Sequence, residues 1–127
     1  MTDTPAKLSR VFKSAWFAKT ARKARIGDKE LCAAIVEVMN GQADNLGGGV
    51  YKKRLNRNMH RSIILAKGRR LWVYEYLFAK KDRANIEQDE LAAFRQLAKS
   101  YEVLSDTQIA SLIEDEDLVE ICHGDKT

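Results

Sequence analysis

Eleven basic side chains fall within one 32-residue stretch, among them Lys52, Lys53, Arg54, Arg57, Arg61, Arg69, Arg70, Lys80, Lys81 and Arg83. Aromatic residues lie among them, with Trp72, Tyr74, Tyr76 and Phe78 spaced two apart. Cations that hold phosphates beside rings that stack on bases are the usual means of gripping single-stranded RNA. Such a cluster can also cut. RNA cleaves when its 2′-hydroxyl attacks the adjacent phosphate, which calls for a base, a cationic clamp on the phosphorane and an acid for the leaving 5′-oxygen. A lysine crowded by arginines loses proton affinity through like charge and can serve as the base, while arginine clamps phosphate oxygens with a two-pronged donor. The plainer alternative is a solvated basic strand face over a core aromatic strand.

The other chemistry-bearing residues point less clearly. His60 neighbours Arg61 in a predicted strand and so faces the opposite way. His123 stands beside Cys122 without further ligands nearby, so no metal is expected. The Gly47-Gly48-Gly49 run precedes a strand, whereas a phosphate cradle precedes a helix, and it reads as a loop. Cys32 and Cys122, ninety residues apart, do not suggest a disulfide framework; Cys32 reads as a packed thiol in a reducing cytoplasm. No cofactor is implied.

Charge is unevenly placed along the 127 residues. Residues 1–83 hold 19 basic and 7 acidic side chains, a net of +12, and residues 84–127 hold 3 and 11, a net of −8. The basic part attracts polyanions, unless the acidic part merely folds back over it. With 45% hydrophobic residues and no long apolar run, the chain reads as one globular domain (1–127, its 85–127 part helical) with neither a membrane span nor a secretory signal.

The elements that must position the cations follow from periodicity. Residues 8–13 form a strand, and Phe17, Ala21 and Ala24 mark an amphipathic helix whose outer side carries Lys19, Arg22, Lys23 and Arg25. Asp28 is placed to cap a second helix, with Leu31, Ala34, Ile35, Val38 and Met39 in its stripe, ending at Asn40-Gly41. Residues 41–49 read as a loop. VYKKRL then alternates, with Lys52 and Arg54 on one face and Tyr51, Lys53 and Leu55 on the other. MHRSIILAK follows, and after a turn at 68–70 LWVYEYLFA is apolar on both faces, as a central strand should be. Its alternation places Trp72, Tyr74, Tyr76 and Phe78 together. Asn85 is placed to cap a helix bearing Leu91, Phe94, Leu97, Ala98 and Tyr101; Ser105 and Gln108 form a capping box for another, and LVEI at 118–121 reads as an edge strand. The class is α+β.

Over nearly all its length, and most specifically from Gly47 to Ile86, the chain resembles the RelE/ParE superfamily of bacterial type II toxins, closest to its HigB/RelE-like branch. The residues that carry the resemblance are GGGVYKKRL, the arginine of HRSIIL, and YLFAKKDRANI before a Leu-rich helix. It implies the RelE-like fold: an N-terminal strand and helical hairpin packed on an antiparallel β-meander, with C-terminal helices. It implies an mRNA interferase that acts without metal in the ribosomal A site. Lys52 and Arg54 would be base and phosphate clamp, Arg61 the transition-state arginine, and Lys81 the acid or its support. Where RelE has a catalytic tyrosine this chain has Glu87, which leaves His60 or Lys81 as acid and Tyr76 to orient a base. Lys53, Arg57, Lys80, Arg83 and Tyr76 would bind RNA, and Arg22 and Lys23 would reach the rRNA. A cognate helix-turn-helix antitoxin would cover the cleft. The same scaffold also serves ParE-like gyrase inhibitors, and a non-catalytic RNA-binding module is a further reading.

Overall fold

The computed structural model describes residues 9–68 and 70–122; Leu8, Arg69 and His123 of the expectations above lie outside them. A six-stranded sheet forms the middle layer, in the order β2-β3-β4-β5-β1-β6. Its strands are β1 (Arg10–Ser14), β2 (Asp44–Gly47), β3 (Val50–Leu55), β4 (His60–Lys67), β5 (Leu71–Ala79) and β6 (Leu118–Ile121). All neighbours are antiparallel except β1 and β5. Helices α1 (Ala15–Ala24) and α2 (Asp28–Met39) cover one face, while α3 (Gln88–Glu102) and α4 (Asp106–Glu114) cover the other. No helix among the described residues is long and apolar enough to cross a membrane.

Local chemistry explains the breaks. Ser14 ends β1, and its Oγ accepts from Phe17 N at 3.1 Å, capping α1. Arg25 closes α1 in the left-handed conformation. The α2 cap is Gly27 rather than Asp28: Asp28 is already helical, and its carboxylate pairs with Lys13 at 2.7 Å. Similarly, α3 starts at Glu87 and not at Asn85, because Glu90 reaches back to accept from Glu87 N at 2.6 Å. The Ser105–Gln108 capping box of α4 and the edge strand β6 form as expected.

Two expectations about the sheet are corrected. Residues 44–47 are not loop but edge strand β2, joined to β3 by a turn in which Gly47, Gly48 and Gly49 all have positive φ. A Cβ on Gly49 would lie 2.8 Å from Ala66 O, so no other residue fits there without backbone movement. The second correction is a β-bulge at Glu75. Ile63 pairs with Tyr76 and Ile64 with Tyr74, so the extra residue turns the rest of β5 over. Trp72 and Tyr74 are buried under α1 and α2, where Tyr74 Oη donates to Leu31 O at 2.7 Å, whereas Tyr76 and Phe78 lie against α3. The four aromatics do not share a face.

The cysteines give a third correction. Cys32 of α2 and Cys122, just after β6, form a disulfide with Cα atoms 5.3 Å apart. β6 returns antiparallel beside β1 and carries its end to the α2 layer, an approach hidden by ninety residues of separation.

Two outcomes follow. Replacing both cysteines by serine removes a closure of about ninety residues and should cost about 2–4 kcal/mol. Calorimetry without reductant should show the melting temperature falling by about 10 °C or more; equal melting of wild type and the double variant would show that the closure contributes nothing. The second concerns Glu75. Burial pushes its carboxyl above the usual range, against a hydrogen bond from Tyr101 Oη (3.1 Å) that pulls the other way. A raised carboxyl in the folded state means stability falls as pH rises from the unfolded-state value through the folded one. Glu75→Gln should therefore melt higher than wild type at pH 7 and lose that advantage below about pH 4.

Candidate functional site

Register brings the central cations together. Lys52 and Arg54 project from β3 to the α3 side of the sheet, and Arg54 is the direct partner of Arg61 on β4. Lys52 lies opposite Ile63, which in turn lies opposite Tyr76, and Arg61 lies opposite Phe78. Opposed side chains on one face of an antiparallel pair have Cβ atoms about 4.5–5.5 Å apart. Three of the four expected catalytic residues thus occupy adjoining places on one surface. The fourth, Lys81, is in the exposed turn after β5. That turn is tied to the β3–β4 turn by Lys80 N donating to Met59 O at 2.8 Å, which puts Lys80, Lys81 and Arg57 at the same end of the sheet as the arginine pair.

The neighbouring groups set what each cation can do. Arg61 Nη1 donates to Asn58 O (2.9 Å) and His60 O (3.2 Å), so the guanidinium is steadied by the turn that carries it. In that turn Asn56, Arg57 and Asn58 all have positive φ, a run that non-glycine residues hold only when their surroundings compel it. The compulsion comes from Glu30 of α2, whose carboxylate accepts from Asn56 N, and from the contact of the Asn56 amide with His60 Nδ1 at 3.1 Å. Lys52 Nζ donates to Asn85 Oδ1 at 3.3 Å and lies 3.8 Å from Asp44 of β2. Arg54, Arg57, Lys80 and Lys81 make no side-chain hydrogen bond or ion pair with any described residue. Their donors face solvent and can take phosphate oxygens.

Other expected residues are engaged elsewhere. Lys53 points to the α2 side, where it pairs with Glu37 (2.7 Å) and donates to Gln42 O (3.0 Å). His60 also points away from Lys52, toward the Asn56 amide. Arg22 and Lys23 are exposed in the last turn of α1, across the sheet from the arginine pair. Arg83 is locked in place: its Nε donates to Asn85 O (3.0 Å), Nη1 to Tyr76 Oη (3.2 Å) and Glu90 (3.1 Å), and Nη2 to Glu90, while the guanidinium lies over the Phe78 ring. That pairing holds the Glu90 carboxyl below the usual carboxylate range and the guanidinium above its own. Glu87, expected from the resemblance to stand in the place of a catalytic tyrosine, is exposed at the start of α3.

Sequence reasoning missed four residues of this surface: Asp44 and Asn85, which position Lys52; Glu90, which fixes Arg83; and Trp16, stacked on Tyr76 with centroids 5.0 Å apart. The Lys-Arg alternation could not reveal them, because each comes from a different element. The one available signal was Glu90, three residues after the cap.

Comparison with known proteins agrees with this architecture. Residues 9–121 match the family described as the RelE toxin of the RelE/RelB toxin–antitoxin system. No curated protein and no solved structure was found to match. RelE toxins pair with a RelB antitoxin, and the family is generally one of ribonucleases. The strand, helical hairpin, antiparallel-rich sheet and C-terminal helices are this family's fold, and the match spans nearly all the described residues. The chain belongs to the RelE toxin family of type II toxin–antitoxin systems.

Proposed function

We propose that this toxin is a metal-independent endoribonuclease that enters the A site of the ribosome in the cytoplasm and cuts mRNA, halting translation. The observation that carries the reading is the Arg54–Arg61 pair with Lys52 beside it on one face of the sheet, Arg54 exposed and the other two half-buried. Two guanidinium groups at opposed sheet positions suit a dianionic phosphorane better than a singly charged phosphodiester, so their grip tightens as the transition state forms. Lys52 takes the 2′-hydroxyl proton, Arg54 clamps a non-bridging oxygen, and Arg61 stabilises the charge that develops. Lys81 protonates the leaving 5′-oxygen from the adjoining turn. Arg57 and Lys80, whose side chains have no partner among the described residues, hold flanking phosphates. Tyr76 and Arg83 shape the wall of the site.

A helix-turn-helix antitoxin that blocks this face accounts for silencing of the toxin in the pair. Retention of all three central cations favours RNA cleavage over inhibition of gyrase.

On translating ribosomes the purified protein should leave a 5′-hydroxyl and a 2′,3′-cyclic phosphate at the cut. Arg61→Ala and Lys52→Ala should each lower the cleavage rate about 100-fold, the scale of losing one transition-state donor. Lys29→Ala, an exposed change on α2, should leave the rate within about twofold. Full activity of both site variants at equal expression refutes the assignment. An unchanged protein-synthesis rate with a DNA-damage response on expression refutes the ribosomal target.

A further inference from the structure

Trp16 is 49% exposed, whereas the chain's other tryptophan, Trp72, is 1% exposed. Tryptophan is enriched at interfaces, where one part of the ring system is packed and the rest meets a partner. Its position follows from the end of β1. Lys13 pairs with Tyr74, Ser14 Oγ donates to Glu75 O at 3.3 Å, and the chain then turns into α1, leaving the β1 side of β5 open from Tyr76 onward. Trp16 fills that opening. Its ring stacks on Tyr76 at 5.0 Å with the planes 23° apart, and Tyr76 is backed in turn by Phe94 and Phe78.

The stack is wired to the cationic face. Lys52 Nζ donates to Asn85 Oδ1, Arg83 Nε donates to Asn85 O, and Arg83 Nη1 donates to Tyr76 Oη, on which Trp16 lies. The indole therefore sits at a fixed offset from Lys52, held by a buttressed row of side chains rather than by a mobile loop. The helix that carries it, α1, has Lys19, Arg22 and Lys23 and no acidic residue, while Ala15 N donates to Asp117 O (3.0 Å) and so brings the acidic 114–117 stretch to the helix start. A half-exposed aromatic face set beside cations on a rigid support has the two properties that hold an unpaired nucleobase: a π surface and a phosphate-attracting field.

We propose that Trp16 is a base-stacking platform, receiving a nucleobase of the RNA strand that runs past Lys52 and Arg61. The proposal rests on the reading of that face as an RNA site. Arg83 and Glu90 act as positioning residues, since they hold Tyr76 beneath the indole.

The emission of Trp16 gives a direct readout, because buried Trp72 is shielded from quenching. The whole chain is titrated with a six-nucleotide RNA made uncleavable by 2′-O-methyl groups and, separately, with inorganic polyphosphate. The RNA should quench Trp16, and polyphosphate should not. By anisotropy of labelled RNA, Trp16→Ala should bind at least about tenfold more weakly, and Trp16→Phe, which keeps a stacking ring and guards against a folding defect, within about threefold of wild type. Both variants should bind polyphosphate as wild type does. Equal RNA affinity of wild type and Trp16→Ala overturns the platform, and is the result expected if the indole serves a protein partner. Equal quenching by RNA and polyphosphate overturns it too. The two readings fail separately. RNA quenching by a wild-type protein that leaves ribosome-bound mRNA uncut removes the nuclease and keeps the platform. Cleavage unaltered in Trp16→Ala, without quenching, does the reverse.

Discussion

Two arginines face each other across the β3–β4 ladder, and like charges at opposed sheet positions repel. The fold must hold them there regardless. It does so by surrounding the pair with register-fixing contacts: Val50, Ile63 and Leu65 are buried beneath α3 on the same face, and a slip of one residue would move them to the other face. Arg61 is further steadied by the carbonyls of Asn58 and His60, in a turn whose left-handed backbone is held by Glu30 from the opposite layer. In the proposed nuclease that repulsion would be relieved by a phosphate placed between the two guanidinium groups.

The acidic third of the chain does not lie over this face as a neutralising blanket. Of the five ion pairs among the described residues, only Arg83–Glu90 and Arg10–Glu120 join the basic part to the acidic part. Each is structural: one fixes the start of α3 against β5, and the other fastens β6 to β1. At their end of the sheet, Arg54, Arg57, Lys80 and Lys81 have no carboxylate partner among the described residues. Apolar packing, by contrast, is shared across the whole length of the acidic helices, through Leu91, Phe94, Leu97 and Tyr101 on α3 and Ile109 and Ile113 on α4. α3 and α4 therefore support the sheet through burial and leave the charge asymmetry available for binding.

Alternation in VYKKRL and HRSIIL was enough to place Lys52, Arg54 and Arg61, since side-chain direction in a regular strand has period two and needs no knowledge of distant residues. Helix stripes were equally legible, as were the end of α2 at Asn40 and the capping box at Ser105. Caps chosen by residue type alone were not. Asp28 and Asn85 have good capping side chains, but Lys13 claims the first, and the Glu87–Glu90 pair starts α3 two residues beyond the second.

What the amino-acid order determined by itself is thus local: the periodicities, the faces of β3 and β4, the charge division and the family likeness. Tertiary structure alone decided the bulge at Glu75 that separates Tyr76 from Tyr74, the pairing of residues 44–47 as a strand, and the meeting of Cys32 with Cys122. It also decided that Lys53 and Arg83 would be spent on carboxylates, and that Trp16 would lie on Tyr76. Each of these depends on which segments become neighbours once apolar area is buried, and that is a property of the whole chain, which no window of consecutive residues contains.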